Sequence, residues 1–182
     1  MHVMRRDIPR GWLVGLCLAV PIMAWAGPDG SVSKDEHFVR MAADAQKAEV
    51  ALAQIAMERA ESEKVKQFAQ RMVDDHTKAG QEVRKLAEVV GIALPEEPAA
   101  NKQKKQDTLS RLTGKAFDQA YVGHEVKDHQ KTIAQFKKQT KTLKQPQVKQ
   151  WAAGSIPVLK EHLIIAKSVL GSLKNGSIQR GK

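Results

Sequence analysis

Four long stretches of this 182-residue chain repeat apolar residues at the spacing of an α-helix, with a short break between one stretch and the next. The breaks lie near Ser62, over 91–101, which contains two prolines, and near Gln145. Aromatic residues make up only 4% of the chain, and residues that favour strands are few beside the Ala, Lys, Gln, Glu and Leu that favour helices. The sequence therefore predicts an all-α protein.

The breaks define two similar pairs of long helices. Ser33 and Glu36 form a capping box that starts the first helix, and VKQFA at 65–69 is echoed by VKQWA at 148–152. The two pairs predict a four-helix bundle made of two helical hairpins, whose direction of stacking stays open. The predicted helices cover residues 34–60, 63–90, 102–112 (a short connecting helix), 113–143, and 146 to a point between Gly171 and Gly176.

Residues 1–26 have the composition of a secretory signal peptide. A basic start and an apolar run over 12–23 are followed by Ala24-Trp25-Ala26, which places small residues where a signal peptidase reads. Cleavage after Ala26 predicts an exported, periplasmic protein of a bacterium, and an uncleaved N-terminal anchor is the alternative. No second apolar run of about 18 residues occurs, so we expect a mature chain without a transmembrane segment.

The same leader contains the one cysteine of the chain, Cys17. The mature chain therefore has no thiol, which excludes a disulfide framework and every metal site that needs thiolates. The absence of thiols also suits an oxidising compartment. We divide the mature chain into a linker over 27–33, the bundle over 34–173 and a flexible basic tail over 174–182.

Each long helix carries at least one titratable side chain in the middle of its apolar stripe. These side chains are Glu49 on the first helix, His76 on the second, Glu125 and His129 on the third, and His162 on the fourth. Glu49 and His76 stand about 20 Å from the turn at Ser62, and His129 and His162 are matched in the same way about Gln145. We therefore expect these four, each near the middle of its helix, to converge half-way along the bundle, whichever way the hairpins stack.

A buried carboxylate that faces imidazoles needs a partner, because burying an unpaired charge is costly. A transition-metal ion is one such partner, since neutral imidazoles and a carboxylate suit Zn, Cu, Fe, Mn or Ni. The alternative is a metal-free hydrogen-bond network that fixes helix register. The predicted metal ligands are Glu49, His76, His129 and His162, with Glu125 as a further candidate. The acids that precede the histidines, expected at the surface or as partners of ligands, are Asp75, Asp128 and Glu161.

Five segments carry a resemblance to a known family: AEVAL (48–52), VKQFAQRMVDDHTKA (65–79), FDQAY (117–121), DHQK (128–131) and LKEHLIIAK (159–167). They resemble the exported bacterial family known as domain of unknown function 4142, which is placed with the ferritin-like helical bundles. The resemblance extends over about 35–172. It implies a ferritin-like four-helix bundle outside the cytoplasm, with no established activity.

The resemblance also bears on the candidate ligands. Glu49 and the three histidines match polar core positions of the family, whereas Glu125 stands where an apolar residue is usual. Ferritin-like oxidases carry Glu-x-x-His on two helices. Here the residues three positions before the histidines are Val73, Val126 and Leu159. The di-iron pattern is absent, so the sequence supports a mononuclear site at most.

The formal charge of +10 is distributed unevenly along the chain. Residues 27–100 contain 10 basic and 14 acidic residues, whereas residues 101–182 contain 17 and 5. The basic half is either a solvated face or a surface that attracts anionic envelope components, such as lipid head groups or polysaccharide. The two halves could also pair in an oligomer. Nucleic acid is not expected, because the chain is exported and its lysines are not interleaved with aromatic residues.

Two functional hypotheses follow from these patterns. The first is a periplasmic bundle that binds one metal ion at mid-core, for storage, buffering or stress protection. The alternative is a metal-free structural or interaction protein of the cell envelope that uses its basic C-terminal half. An enzyme is the third and least favoured, because the sequence has no activated nucleophile, phosphate-binding loop or hydrolase elbow. A redox reaction at a bound metal stays open.

Overall fold

The computed structural model of the chain describes residues 32–95 and 107–179, and all regular structure within these ranges is helical. The all-α prediction is therefore confirmed for the described residues. The predicted leader, residues 102–106 of the connecting helix and residues 180–182 lie outside them. Residues 107–109 form a helical turn. The long helices are α1 (Lys34–Arg59), α2 (Glu63–Val89), α3 (Gly114–Gln139) and α4 (Pro146–Gln179).

The predicted helix starts agree closely with the structure, but two ends differ. The capping serine is confirmed, because the Glu36 backbone N–H donates to Ser33 Oγ at 3.1 Å, and Gly91 ends α2 with a φ of 70°. Helix α3 ends at Gln139 because the Thr140 and Thr142 hydroxyls donate to carbonyls of the last turn and close it. Helix α4 continues to Gln179, past both predicted stopping glycines and into the predicted tail.

Two buried aspartates fix how the hairpins stack. Asp35, at the start of α1, accepts hydrogen bonds from the backbone N–H groups of Lys144 and Gln145, just before α4. Asp118, at the start of α3, accepts from those of Glu61 and Ser62, just before α2. The start of each hairpin therefore lies beside the turn of the other, so α1 and α3 are antiparallel.

The first part of the connection between the hairpins, residues 90–95, runs along α1. Arg40 donates to the backbone oxygen of Ala93 at 2.7 Å, and Lys47, almost two turns further along α1, donates to that of Pro95. Leu109 packs into the core at the far end of the bundle.

The hydrophobic core consists of two separate clusters, one at each end of the bundle. The cluster near the α1–α2 turn is built around Phe68, Met72, Phe117 and Tyr121. The other, near the α3–α4 turn, is built around Phe38, Val83, Phe136 and Val148. Buried polar side chains occupy the level between them: Gln46, Glu49, His76, Glu125, His129 and His162. No helix in the described ranges is long and apolar enough to span a membrane.

Candidate metal centre

Three histidines from three helices meet at the polar level of the core. His76 on α2, His129 on α3 and His162 on α4 are 5%, 2% and 0% exposed. One ring nitrogen of each lies within 4.8 Å of the corresponding atoms of the other two. The ring centroids form a nearly equilateral triangle with sides of 5.9, 5.3 and 5.4 Å.

The partners of His129 and His162 determine which of their nitrogens carries the proton. His129 Nδ1 lies 3.0 Å from the backbone oxygen of Glu125, which can only accept, so Nδ1–H donates. His162 Nε2 lies 2.8 Å from Asp75 Oδ2 and donates to this carboxylate. The remaining nitrogens, His129 Nε2 and His162 Nδ1, are then unprotonated in the neutral rings. They face each other at 3.3 Å.

His76 follows the same pattern. Its Nδ1 is 2.6 Å from Gln46 Oε1, which leaves Nε2 with a lone pair. That Nε2 atom is buried and has no hydrogen-bond partner among the described residues. Burial, together with the neighbouring His129 and His162, lowers the pKa of His76 to about 3. Burial also lowers the pKa of His162, although Asp75 opposes the shift. Both rings are therefore neutral at physiological pH.

The arrangement aims three nitrogen lone pairs at one small volume. Two of them face each other with no proton between them when both rings are neutral, and the third has no partner. Three acceptors at such distances favour a cation in their midst. Hydrogen bonds from the outer nitrogens to a carboxylate, a carbonyl and an amide oxygen are also those that metal-binding histidines make in proteins. The three rings therefore fit a transition-metal ion.

A pair of buried carboxyl groups lies beside His129. Glu125 Oε2 is 3.4 Å from His129 Nδ1. Burial raises the pKa of Glu49 well above its usual value. The charge of Glu125 and a hydrogen bond between the two carboxyl groups raise the pKa of Glu49 further. The hydroxyl of Tyr121 is near both acids, and burial and their charges raise its pKa. The carboxyl pair is expected to hold a proton rather than to carry two charges.

A short chain of charged groups supports His162 from outside the core. Partial burial raises the pKa of Asp75, but hydrogen bonds from His162 and Arg71 outweigh this and lower it, so Asp75 is ionised. Arg71 Nε lies 3.2 Å from Asp75, and its terminal nitrogen lies 2.9 Å from Glu161. This chain orients His162 and keeps its Nδ1 directed inward.

A cavity of about 360 Å³ reaches the three histidines from solvent. Gln46, Glu49 and Asp128 line it on the side of α1 and α3. Exposed residues of α2 and α4 surround its mouth: Lys78, Glu82, Gly154 and Val158. An ion that enters this cavity therefore comes close to the three rings without unfolding of the bundle.

The structure brings together most of the side chains predicted from the sequence. His76, His129 and His162 form the close group, while Glu49 and Glu125 lie beside it as a carboxyl pair and are not members of it. Asp75 is the hydrogen-bond partner of a candidate ligand, as the sequence allowed, but this ligand is His162 rather than its own neighbour His76. Gln46 was missed, although its place one turn before Glu49 on the same face could have identified it.

Two comparisons with known proteins give matches. The profile of a family described as a domain of unknown function (DUF4142) matches residues 23–169. The crystal structure of a DUF305 fragment from Deinococcus radiodurans has a similar fold, with a TM-score of 0.66, 15% sequence identity, and coverage of 78% of this chain and 98% of that one. No curated protein matches. The resemblance found in the sequence is confirmed, whereas a ferritin-like relationship and export stay predictions.

Proposed function

The chain belongs to the family described as a domain of unknown function (DUF4142), and from its own residues we propose that it binds one transition-metal ion on His76, His129 and His162. The observation that carries the proposal is the set of three inward lone pairs. Each ring uses its other nitrogen in a hydrogen bond, and two of the inward atoms face each other at 3.3 Å. A network that served only to fix helix register would place a donor against each acceptor.

The donor set narrows the choice of metal. Three neutral imidazoles suit Zn, Cu, Ni and Fe, whereas Mn prefers carboxylate and water oxygens. The carboxyl group of Glu49 is engaged with Glu125 and lies outside the group of nitrogens. The proposed ligands are therefore the three histidines without Glu49 or Glu125, and the carboxyl pair serves to hold His129 in place.

The proposed role is storage, buffering or stress protection in the bacterial periplasm. The periplasmic location is supported by the leader over 1–26 and by the absence of cysteine after residue 26. A mononuclear site without Glu-x-x-His pairs does not favour a ferroxidase. Mass spectrometry of the protein from a periplasmic extract tests export: a chain that begins at Gly27 is expected, and an unprocessed chain would contradict it.

Metal binding is tested with variants that keep the outer hydrogen bond of each ring. In His76→Asn and His129→Asn the amide nitrogen replaces Nδ1, and in His162→Gln it replaces Nε2, so each variant loses only the inward nitrogen. Calorimetric titration of the mature chain with Zn²⁺ or Cu²⁺ should give one ion per chain. Each variant should bind at least tenfold more weakly.

The control for these variants is His37→Asn, because His37 is exposed near the start of α1. It should bind metal as the unaltered chain does. The proposal is contradicted if the unaltered chain binds no stoichiometric metal. It is also contradicted if His129→Asn retains full affinity while circular dichroism shows an intact bundle.

A second function is favoured by the outer surface of the second hairpin. Its lysines from Lys115 to Lys174 are all exposed and form no ion pair with another described residue. Among the acids of this hairpin only Glu161 is exposed, and it pairs with Arg71. A positively charged surface of this kind attracts anionic lipid head groups. We propose that it holds the protein at the envelope.

Vesicles that contain phosphatidylglycerol test the envelope contact. Co-sedimentation at low salt should fall steeply at high salt. Replacement of Lys137, Lys138 and Lys141 by Gln should weaken it more than the matched replacement of Lys64, Lys78 and Lys85 in the first hairpin. Equal sedimentation at low and high salt would contradict this second function and leave the metal site unaffected.

A further inference from the structure

The cavity above the three histidines is much larger than an ion requires. At about 30 Å³ for each water molecule, its 360 Å³ correspond to roughly twelve waters. That volume falls at the lower end of the range of small-molecule pockets. The cavity therefore has room for an organic ligand in addition to a metal ion.

The metal proposed above would keep a free position on the cavity side. Three protein ligands with an open fourth position are typical of zinc sites that bind an exogenous molecule, whereas purely structural sites are closed by four. The three histidines and the cavity share one boundary, because all three rings line it. A donor atom that enters the cavity would therefore approach a metal on these histidines from this side.

One wall of the cavity is aromatic. Trp151 and Phe136 line it with ring centroids 5.9 Å apart and ring planes inclined at 51° to each other. The indole N–H of Trp151 donates to Glu82 Oε2 at 2.9 Å, which fixes the orientation of this ring. Leu159 and Val158 extend the apolar surface toward the mouth. A wall of this kind favours a planar, unsaturated ligand.

The charges around the cavity disfavour an anion. Asp75 is ionised, and Glu82 and Asp128 also line the cavity, against Lys78 as the one lysine among its lining residues. A divalent ion on the histidines would bring the formal sum of these charges to zero, which favours a neutral ligand over an ion of either sign. We propose that, with its metal bound, this cavity takes a small neutral ligand whose flat ring donates a nitrogen atom to the free coordination position. This inference rests on the proposed metal site.

A glycine lies at the mouth of the cavity, where it leaves the opening uncovered. Gly154 is exposed at the rim, and a Cβ atom built on it would meet nothing within 4 Å. A phenyl side chain at this position would have room to cover the mouth. Gly171 is a matched control on the same helix, since it is also exposed and equally unobstructed. It lies 17 residues away, about 25 Å along the axis.

The test uses the mature protein loaded with one equivalent of Co²⁺ and imidazole as the probe. The visible absorption of Co²⁺ changes with the donors around it, so binding appears as a saturable shift of its bands. We expect saturation in the millimolar range for the unaltered chain and for Gly171→Phe. In Gly154→Phe, Co²⁺ should bind normally while the affinity for imidazole falls at least tenfold.

The outcomes separate this inference from the function on which it rests. If Co²⁺ does not bind, the proposed function fails and the inference with it. If Co²⁺ binds and imidazole leaves the bands unchanged, the metal site stands and the inference is overturned. Equal affinity for imidazole in Gly154→Phe and Gly171→Phe also overturns it, as does removal of the metal by imidazole.

The preference for a neutral ligand is tested with azide as an anionic probe. Glu82→Gln keeps an oxygen that can accept from Trp151 and removes one negative charge at the mouth. Azide affinity relative to imidazole affinity should rise roughly two- to fivefold in this variant. An unchanged ratio would overturn the assignment to neutral ligands.

Discussion

At each of the three histidines, the partner of one ring nitrogen determines what the other nitrogen can do. The carbonyl of Glu125 and the carboxylate of Asp75 accept only, so in the neutral rings the inward nitrogens of His129 and His162 are acceptors. The sequence shows which residues share a face, but it does not show which hydrogen bond each ring makes. That is why the convergence of the histidines was predicted, whereas the support of His76 by Gln46 and the pairing of Asp75 with His162 were not.

A substitution at Asp75 tests whether its hydrogen bond from His162 contributes to metal affinity. Asp75→Asn keeps an oxygen near His162 Nε2 but removes the negative charge, so the ring becomes a weaker donor to the metal. We expect metal affinity to fall about tenfold, at the lower end of the effect of such partners. Calorimetric titration measures it. Asp74→Asn is the neighbouring control, because Asp74 is exposed and accepts from Gln70; an equal loss in both variants would contradict the role of Asp75.

The low pKa of His76 predicts a pH-dependent stability of the metal-free protein. The pKa of His76 is about 3 in the folded chain and 6.5 in the unfolded chain. As the pH falls below 6.5, the unfolded chain takes up a proton on this ring while the folded chain does not, so the fold is destabilised. Each pH unit between the two pKa values lowers the free energy of unfolding by about 1.4 kcal/mol. The stability of the unaltered chain relative to His76→Asn should therefore fall by about 2 kcal/mol between pH 7 and pH 5. Urea unfolding measures this, and a pH-independent difference would contradict it.

At the scale of helices, each hairpin supplies the cap that the turn of the other hairpin lacks. Ser62 stands at the N-cap of α2, yet its side chain makes no capping hydrogen bond. The buried carboxylate of Asp118 accepts from the backbone there instead. Asp35 does the same before α4. The two caps lie at opposite ends of the bundle and hold the hairpins in register.

Removal of one cap should lower the stability of the whole bundle. Asp118→Ala leaves two backbone N–H groups beside α3 without their acceptor, and we expect a loss of about 1–3 kcal/mol in the free energy of unfolding. Urea unfolding followed by circular dichroism measures the loss. Glu88→Ala, at an exposed position near the end of α2, is the control. A loss no larger than that of the control would show that water replaces the carboxylate without cost.

Local sequence signals predicted the starts of the helices better than their ends. Ser33 and Pro146 affect only the first turn of the helix that they begin, so the starts of α1 and α4 could be predicted from the local sequence. The end of α3 depends on threonine hydroxyls and on Asp35, which lies 109 residues before Lys144. Gly171 and Gly176 did not stop α4, because a glycine inside a helix costs only about 1 kcal/mol.

Across the whole molecule, a polar layer divides the hydrophobic core into two halves. Glu49 and the histidines interrupt what would otherwise be one continuous core, and Glu49 Oε2 has no hydrogen-bond partner among the described residues. The layer costs stability in the metal-free protein. Helical periodicity predicted the level of the polar layer and the side chains in it, because the face on which a residue lies depends only on its spacing within its own helix. The division into a histidine group and a carboxyl pair depends on distances between helices, which one sequence does not contain.

Replacement of a carboxyl group in this layer should stabilise the metal-free bundle. Glu49→Leu keeps a similar volume, removes a buried group whose pKa is raised, and joins the two halves of the core. We expect the free energy of unfolding to rise by about 1–2 kcal/mol. Metal affinity should change less than in His129→Asn, because Glu49 is not a proposed ligand. A destabilised Glu49→Leu protein would indicate that the carboxyl pair contributes to the fold.

The position of Trp151 on the cavity wall has a spectroscopic consequence. The chain contains three tryptophans, and two of them, Trp12 and Trp25, belong to the leader. In a chain cleaved after Ala26, all indole fluorescence would therefore arise on the wall of the cavity that the histidines also line. A paramagnetic ion at the histidines would quench this emission, and an aromatic ligand in the cavity would shift it. Trp151 would thus serve as an optical reporter of cavity occupancy without any added label.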